Sequence, residues 1–193
     1  MANVVRATVK IVGTRPLLWH HFGEDALPLE KKERTGVAGN DPEEWKRTVL
    51  ATRDGQLYIG PEYVFGCLRN GARYTKMGRG SAQSAIVATL QVLDDFVLLD
   101  RRLPEGEPSR DPQSPVYLDV RFVRNPSSKG ANVRYRLAAS SGWRTQFGLL
   151  WDPTIVARGV MESIAIDAGR LVGIGDGRNI GFGRFEVESF EVE

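Results

Sequence analysis

The sequence GIGDGRNIGFGRFEVESFEV, at residues 173–192, decides the fold because it joins a predicted helix to a predicted strand through glycines. Five glycines fall within its first eleven residues. Upstream, Asp152-Pro153 is a typical helix start and Gly169 a typical helix stop, so a helix is expected between them. Downstream, a strand is expected from Arg184 onward. The predicted order is therefore helix, glycine-rich loop, strand.

This order excludes two familiar phosphate-binding loops. A dinucleotide-binding fingerprint runs from strand to helix and needs glycine where this chain has Arg178, and a Walker loop needs Gly-Lys-Ser/Thr, which the sequence lacks. Dense glycines instead let backbone N–H groups approach an anion or a stacked base, and arginine adds charge-assisted bonds to phosphate. The alternative is a tight connection that packs against the neighbouring helix. The binding interpretation predicts nucleic-acid contacts from Gly175, Gly177, Arg178, Gly181, Gly183 and Arg184.

Outward from the loop, alternating apolar and polar residues predict the other strands. Val5 to Ile11 alternates in this way, as do both arms of a hairpin at 116–139 and the segment from Trp143 to Trp151. Gly60-Pro61 begins a second helix, with proline at the first helical position. The apolar run from Ile86 to Leu93 predicts a strand that is buried on both faces.

These elements predict an α+β fold with a ferredoxin-like (RRM-like) βαββαβ core and an antiparallel sheet. We expect one domain over residues 1–193, with a long loop insertion at 19–56 and a basic β-hairpin insertion at 116–139. In such a fold both helices cover one face of the sheet. The other face, or the loops at its edge, is free for a ligand.

Composition narrows the class of protein. The 193 residues are 41% hydrophobic and 26% charged, which is ordinary for a globular protein that buries its own core. The single cysteine, Cys67, excludes an intrachain disulfide and a thiolate zinc site. There is no apolar run of roughly 20 residues and no typical signal peptide, so we expect a cytoplasmic protein without a membrane partner. No cofactor is predicted.

Charge is segregated although the net charge is only +2. No acidic residue lies between Glu62 and Asp94, where the stretch KMGRGSAQS is expected to be a flexible basic loop, and none lies between Asp119 and Asp152. Such windows favour a polyanionic partner, the alternative being an unevenly charged solvated surface. The first window contributes Arg69, Arg73, Lys76 and Arg79 as candidate nucleic-acid contacts, and the second contributes Arg121, Arg124, Lys129, Arg134 and Arg136, with Tyr135 as a candidate for base stacking.

Two segments resemble the repeat-associated mysterious protein (RAMP) superfamily of CRISPR systems. The stretch from Gly175 to Phe185 is similar to the glycine-rich loop of that superfamily, which follows a helix and ends in Gly-Phe-Gly before a strand. The stretch from Tyr58 to Arg69 is similar to its strand-to-helix segment, although Gly60-Pro61 replaces the usual Ile-Pro order. The resemblance implies a backbone subunit of a CRISPR effector complex that lays its basic hairpin across a guide RNA.

The resemblance also implies an enzymatic alternative. RAMP endoribonucleases that process guide RNA often use a histidine near the first helix without a metal, and His20 and His21 are the two histidines of this chain. The competing interpretation is a structural pair at the end of a packed segment. Metal ligation is not predicted, because adjacent histidines do not readily face one ion and Glu24 and Asp25 do not complete a site. Some RAMP backbone subunits cut target RNA with a loop aspartate. Asp25 and Asp41 fall in a suitable loop of this sequence, but no family motif surrounds either.

Three functions are therefore compatible with the sequence. The leading prediction is a non-catalytic RNA-binding subunit of a CRISPR-type ribonucleoprotein, which holds single-stranded guide RNA and associates with copies of itself and with other effector subunits. The second is a metal-independent endoribonuclease that uses His20 or His21. The third is a phage or mobile-element single-stranded DNA-binding protein with a RAMP-like fold.

Overall fold

The computed structural model describes residues 3–21, 23, 41–124 and 130–193. The strands in these ranges are β1 (Val5–Gly13), β2 (Leu17–Leu18), β3 (Gln56–Ile59), β4 (Lys76–Met77), β5 (Gly80–Ser81), β6 (Gln91–Val92), β7 (Val97–Arg102), β8 (Val116–Arg124), β9 (Ala131–Ala139), β10 (Arg144–Trp151) and β11 (Phe185–Val192). The α-helices are α1 (Glu44–Thr48), α2 (Pro61–Gly71), α3 (Gln83–Thr89) and α4 (Arg158–Asp167).

The main sheet has the strand order β11-β1-β10-β7-β3, and β6 also pairs with β10. Every pairing in it is antiparallel. β1 is central: it pairs with β10 from Val5 opposite Trp151 to Val12 opposite Arg144, and with β11 on its other side. The fold is therefore α+β with an antiparallel sheet, as predicted, and it is compatible with a ferredoxin-like core.

Alternation along β1 sorts its side chains between the core and the solvent. Val9 and Ile11 are fully buried, whereas Lys10 lies on the opposite face and forms an ion pair with Glu191. α2 and α4 supply buried side chains to the same core, among them Leu68. The helices thus cover one face of the sheet, and polar and charged residues of the central strands occupy the other.

A second sheet carries the basic hairpin, whose strands β8 and β9 we call the arm. β9 pairs with β8 along its whole length and with β2 at its base, where Leu18 lies opposite Ala138. The first residues of β8, from Val116 to Asp119, are buried, and the last five are exposed. The predicted hairpin is therefore present, but the alternation of apolar residues along it does not bury Val120 or Phe122, which are exposed on the distal arm.

The strand predicted from Ile86 to Leu93 is wrong. Residues Gln83–Thr89 form α3, and only the short β6 follows. Ala82, Ala85 and Ile86 are buried at helical spacing, whereas Val87 is half exposed. A short apolar run does not distinguish a strand from a helix, and here helix packing prevails. The expected basic loop before it contains the tight β4–β5 hairpin.

The predicted limits of the last helix are also wrong. Asp152 accepts a hydrogen bond from the Thr154 backbone N–H and closes a turn, so α4 begins later, after Ala157. Gly169 does not end the helix, because the chain continues through one turn of π-helix over Ala168–Val172. The stop is Gly173, with a φ of 80°. Among the described residues, no helix is long and apolar enough to cross a membrane.

Candidate nucleic-acid interface

A cleft of about 310 Å³ lies between the arm and the glycine-rich loop at 173–183. The arm and the loop come from distant parts of the sequence, yet both pack on β2, which places the loop beside the base of the arm. The cleft is lined by His20, Arg121, Phe122, Val123, Arg134, Arg136, Asp176, Gly177, Asn179 and Ile180.

Backbone hydrogen bonds fix the glycine-rich loop against the rest of the chain. The N–H of Asp176 donates to the carbonyl oxygen of Leu18 at 2.9 Å, and the N–H of Gly183 donates to the carbonyl oxygen of Pro16 at 2.8 Å. Phe182 forms a second buried cluster with Leu18 and with Tyr117 at the base of the arm. The loop is therefore held in one conformation by the same short segment that holds the arm.

Most of the glycine density serves this closed conformation. A Cβ on Gly183 would overlap the carbonyl oxygen of Ile174, and the residue has a φ of 68°. Gly181, with a φ of 95°, differs because a Cβ there would meet no atom within 4 Å. The predicted alternative, a connection that packs tightly against its neighbours, thus accounts for Gly183, while Gly177 is the loop glycine that lines the cleft.

Arg136 is the buried centre of the ion-pair network in the cleft. Its side chain is 6% exposed, and its Nη1 donates to Oδ2 of Asp176 at 2.7 Å. Its Nη2 lies 3.4 Å from Oδ1 of Asp119, which is opposite Arg136 in the β8–β9 register. Its Nε is buried and has no hydrogen-bond partner among the described residues. Arg136 therefore joins the arm to the loop, and it is less available to solvent than its position in a basic hairpin suggests.

The more accessible cations lie further out along β8. Arg121 donates through Nε to Oδ2 of Asp119 at 2.7 Å, and its guanidinium lies 4.8 Å from the centre of the Phe182 ring. Arg124 is exposed at the distal end of the strand. Stacking and the Asp119 carboxylate hold Arg121 in place at the mouth of the cleft, with half of its side chain exposed.

Glu44, a residue that the sequence did not single out, holds the other side of the cleft. Its carboxylate accepts from Nη1 of Arg134 and, at 3.1 Å, from the backbone N–H of Tyr135, and it lies 3.2 Å from Nε2 of His20. Burial alone would raise the pKa of Glu44, but the hydrogen bonds with His20 and Tyr135 and the charge of Arg134 lower it. Glu44 is therefore a buried ionised carboxylate that joins α1 to β9.

The two histidines have different surroundings. His20 lines the cleft, whereas Nδ1 of His21 lies 3.1 Å from the hydroxyl oxygen of Tyr63 at the start of α2. Burial raises the pKa of Tyr63, the charges of Glu62 and Asp176 raise it further, and Arg178 opposes them. His21 is thus packed against α2, and His20 is the histidine that faces the predicted site.

Four of the predicted basic contacts lie elsewhere. Arg69, Arg73, Lys76 and Arg79 are exposed around the end of α2 and the β4–β5 hairpin, and we call them the helix-end patch. None of them lines the cleft, and none forms an ion pair within the described part of the chain. α2 ends at Gly71, so it rises about 12 Å beyond Tyr63. The patch surrounds this end of the helix and is a surface separate from the cleft.

The remaining predicted contacts are also divided. Burial raises the pKa of the Cys67 thiol in α2 to about 12, and the charges of Arg178 and Arg184 act against this rise. Both arginines therefore lie towards α2. Tyr135 is partly buried, packs against the core and does not line the cleft. Lys129, Glu24 and Asp25 lie outside the described residues. The cleft thus unites part of the predicted set, namely Arg121, Arg134, Arg136, Gly177 and His20.

The open face of the main sheet offers less to a nucleic acid. Lys10 is paired with Glu191, and Arg144 is paired with Glu188. The aromatic residues of the central strands, among them Phe147 and Trp151, are buried in the core instead. No group of three or more metal-ligating side chains occurs among the described residues.

Comparison with known proteins identifies relatives of the fold. No protein-family model and no curated protein sequence matches the chain. It is similar to a chain in the cryo-EM structure of the Type III-B Cmr-beta complex bound to cognate target RNA, with a TM-score of 0.51 and 13% identity over 98% of this chain and 61% of that one. It is also similar to a chain of a Type IV-B CRISPR complex, with a TM-score of 0.46 and 16% identity over 96% and 90% of the two chains.

The matched region is 61% of the Type III-B chain, so this chain spans about three fifths of that chain's length. At 13% identity this similarity shows a shared fold. The fold expected from the sequence is thus shared with a chain of a CRISPR complex.

The lowered pKa of Glu44 predicts an acid-sensitive contribution to stability. Below its ordinary value of 4.5 the unfolded chain binds a proton more readily than the folded chain. The stabilisation by ionised Glu44 is therefore present above that pH and is lost as the pH falls through the folded pKa. Urea unfolding between about pH 3 and 7 should show a shallower acid decline for Glu44→Gln than for the wild type. Glu43→Gln, in the exposed neighbour, is the control and should retain the wild-type decline.

The two glycines at the end of the loop should differ in stability. Gly183→Ala should prevent the loop from closing, because the methyl group overlaps the Ile174 carbonyl. This variant should therefore show no cooperative unfolding transition above physiological temperature. Gly181→Ala should keep the fold and cost about 1 kcal/mol, which is the strain of a non-glycine residue at positive φ. Thermal melting by circular dichroism compares them, and equal melting temperatures would contradict the closed loop.

Proposed function

We propose that the chain is a single-stranded RNA-binding subunit of a CRISPR-type ribonucleoprotein that holds guide RNA in the cleft between its arm and its glycine-rich loop. One observation carries the proposal: two elements predicted separately from the sequence as nucleic-acid contacts meet in one cleft, with three arginines on its wall. The similarity in fold to a chain of a complex bound to target RNA supports RNA as the ligand.

The electrostatics of the cleft fit a phosphate backbone. Arg121 and Arg124 lie at the mouth and the distal arm, where a guanidinium can bind phosphate through paired N–H groups. Arg134 and Arg136 are bound by the carboxylates of Glu44 and Asp176, so their guanidinium groups form a fixed part of the cleft wall. The helix-end patch is exposed and offers the same RNA a second phosphate-binding surface. Binding is thus driven by charge and positioned by packing.

The proposal includes a ferredoxin-like βαββαβ core. β1, α2, the β6–β7 segment, β10, α4 and β11 follow that order, and their sheet order places β11 and β10 on either side of β1. β3 adds an edge strand, and the arm is an insertion before β10. As the resemblance to RAMP proteins implies, further copies of the chain and other effector subunits would bind beside it along the RNA.

Removing the exposed arm charges should weaken binding at low salt and reduce its salt dependence. In Arg121→Ala/Arg124→Ala, the slope of log affinity against log salt should fall by about 1.4, from about 0.7 per lost phosphate contact. Fluorescence anisotropy with a labelled, unstructured RNA at several salt concentrations measures this slope, and a DNA of the same sequence tests the choice of RNA.

Arg53→Ala/Arg158→Ala is the matched control, because both arginines are exposed and neither lines the cleft. It removes the same charge and should retain the wild-type slope. If both double variants lose affinity equally, net charge alone drives binding and the cleft is not the site. Tighter binding of the DNA would favour a single-stranded DNA-binding protein.

A second function, cleavage of the bound RNA without a metal, is favoured by the position of His20. Its imidazole lines the cleft beside the buried carboxylate of Glu44, an arrangement that orients a general base. In such a reaction the imidazole takes the proton of a 2′-hydroxyl, whose oxygen bonds to phosphorus as the bond from phosphorus to the 5′-oxygen breaks. The 5′-oxygen takes a proton from water and leaves as a 5′-hydroxyl. This produces a 2′,3′-cyclic phosphate.

The binding proposal and the cleavage alternative give different gels. Under the binding proposal, end-labelled RNA that is incubated with the protein and EDTA stays intact. A product that is lost with His20→Ala but retained with His21→Ala would make the chain an endoribonuclease. The second histidine is the suitable control because it contacts Tyr63 outside the cleft.

A further inference from the structure

We propose that the cleft also contains a base pocket, formed by Asp176, Asn179, Ile180 and Val123, which prefers a nucleobase that presents an exocyclic amine, with cytosine as the reference case. This inference rests on the proposed function and deepens it, since backbone contacts alone carry no sequence preference. Four features of the pocket support it: apolar walls, a partly exposed carboxylate, adjacent donors and an exposed amide.

The walls of the pocket are unusually exposed apolar side chains. Ile180 is 66% exposed in the loop, and Val123 is 39% exposed on the arm opposite it. Both line the same cleft, on its two sides. Apolar walls around a few convergent polar groups are typical of sites for small planar ligands, and the cleft volume of about 310 Å³ lies in that size range. A flat base between these side chains would shield them from water.

Asp176 supplies an acceptor that a phosphate would avoid. Its Oδ2 is bound to Arg136, and its side chain remains 39% exposed at the cleft. A carboxylate repels a phosphate at short range and can only accept hydrogen bonds. It is suited instead to the exocyclic amine of a base, as in the pairing of aspartate with the N4 amine of cytosine.

Donors stand next to this acceptor. The side chain of Arg134 is 28% exposed in the same cleft, and Arg136 lines the cleft while bonded to Asp176 itself. The edge of cytosine presents its amine beside two acceptors, N3 and O2, which matches a carboxylate beside guanidinium groups. Uracil presents a carbonyl oxygen where cytosine has the amine, and this oxygen would face the carboxylate. The pocket should therefore discriminate between these two pyrimidines.

Asn179 completes the polar set from the loop side. It is exposed at the cleft, and its amide makes no hydrogen bond within the described part of the chain. The amide can both donate and accept, so it can bind a base edge without choosing its type. We therefore assign specificity to Asp176 and orientation to Asn179.

The test compares ten-nucleotide oligocytidine and oligouridine RNAs, so that every binding register presents the same base. The wild type should bind oligocytidine about five- to tenfold more tightly at moderate salt. Asp176→Asn should bring this ratio to one or invert it, because the new amide can donate to the uracil carbonyl. Asn179→Ala should weaken both RNAs and keep the preference. Using the ratio within each variant removes any general loss that follows from breaking the pair with Arg136.

Equal affinity of the wild type for the two RNAs would overturn the pocket, and so would an unchanged ratio in Asp176→Asn. An abasic RNA of the same length separates this failure from a failure of the proposed function. If the wild type binds abasic RNA and both homopolymers alike, the cleft binds backbone alone. If it binds none of them, the RNA-binding proposal itself is wrong.

Discussion

The arrangement of the candidate site depends on the two-residue strand β2, Leu17–Leu18, which pairs with other backbone on both of its sides. On one side this short strand pairs with the base of the arm, and on the other the Leu18 carbonyl accepts the N–H of Asp176. Both side chains are almost fully buried. An antiparallel pairing fixes the distance between neighbouring backbones at about 5 Å. The arm and the glycine-rich loop therefore stand at a set separation, and the cleft is the space that remains between their exposed ends.

Ionised carboxylates complete this frame. Asp119, Asp176 and Glu44 each hold an arginine of the arm, and the first and last of them are buried. Removing one partner of a buried ion pair costs more free energy than the intact pair contributes to stability, because the remaining charge is then buried without a counter-charge. Acidic residues thus fix the arginines at the base of the arm. Arg121 and Arg124, further out along β8, are the arginines that a polyanion reaches.

The sequence predicts the framework of this protein better than its details. Alternation identified β1, β10 and both strands of the arm, because each has one buried face or one consistent partner. It failed for Gln83–Thr89, where a short apolar run is compatible with either a strand or a helix, and for Phe122, where alternation continues beyond the core that would bury it. The π-helical turn after α4 has no signal in residue type.

The site was predictable in kind but not in composition. Basic windows and glycines located both sides of the cleft, since charge and turn geometry are local properties of a sequence. Glu44 could not be found in this way, because its importance comes from contacts with Arg134 and His20, which are distant along the chain. Glycine density predicts a binding role, yet Gly183 mainly permits close packing. Sequence density alone does not distinguish these two uses of glycine.

Ultraviolet crosslinking of unmodified RNA that contains all four bases, followed by mass spectrometry of the crosslinked peptides, tests the central claim most directly. The measurement requires no variant, so it does not depend on whether a substitution disturbs folding. If the cleft holds the RNA, crosslinks will fall in the distal arm near Arg121 to Arg124 and in the loop near Asn179. Crosslinks confined to the open face of the main sheet, on β1, β10 and β11, would contradict the account.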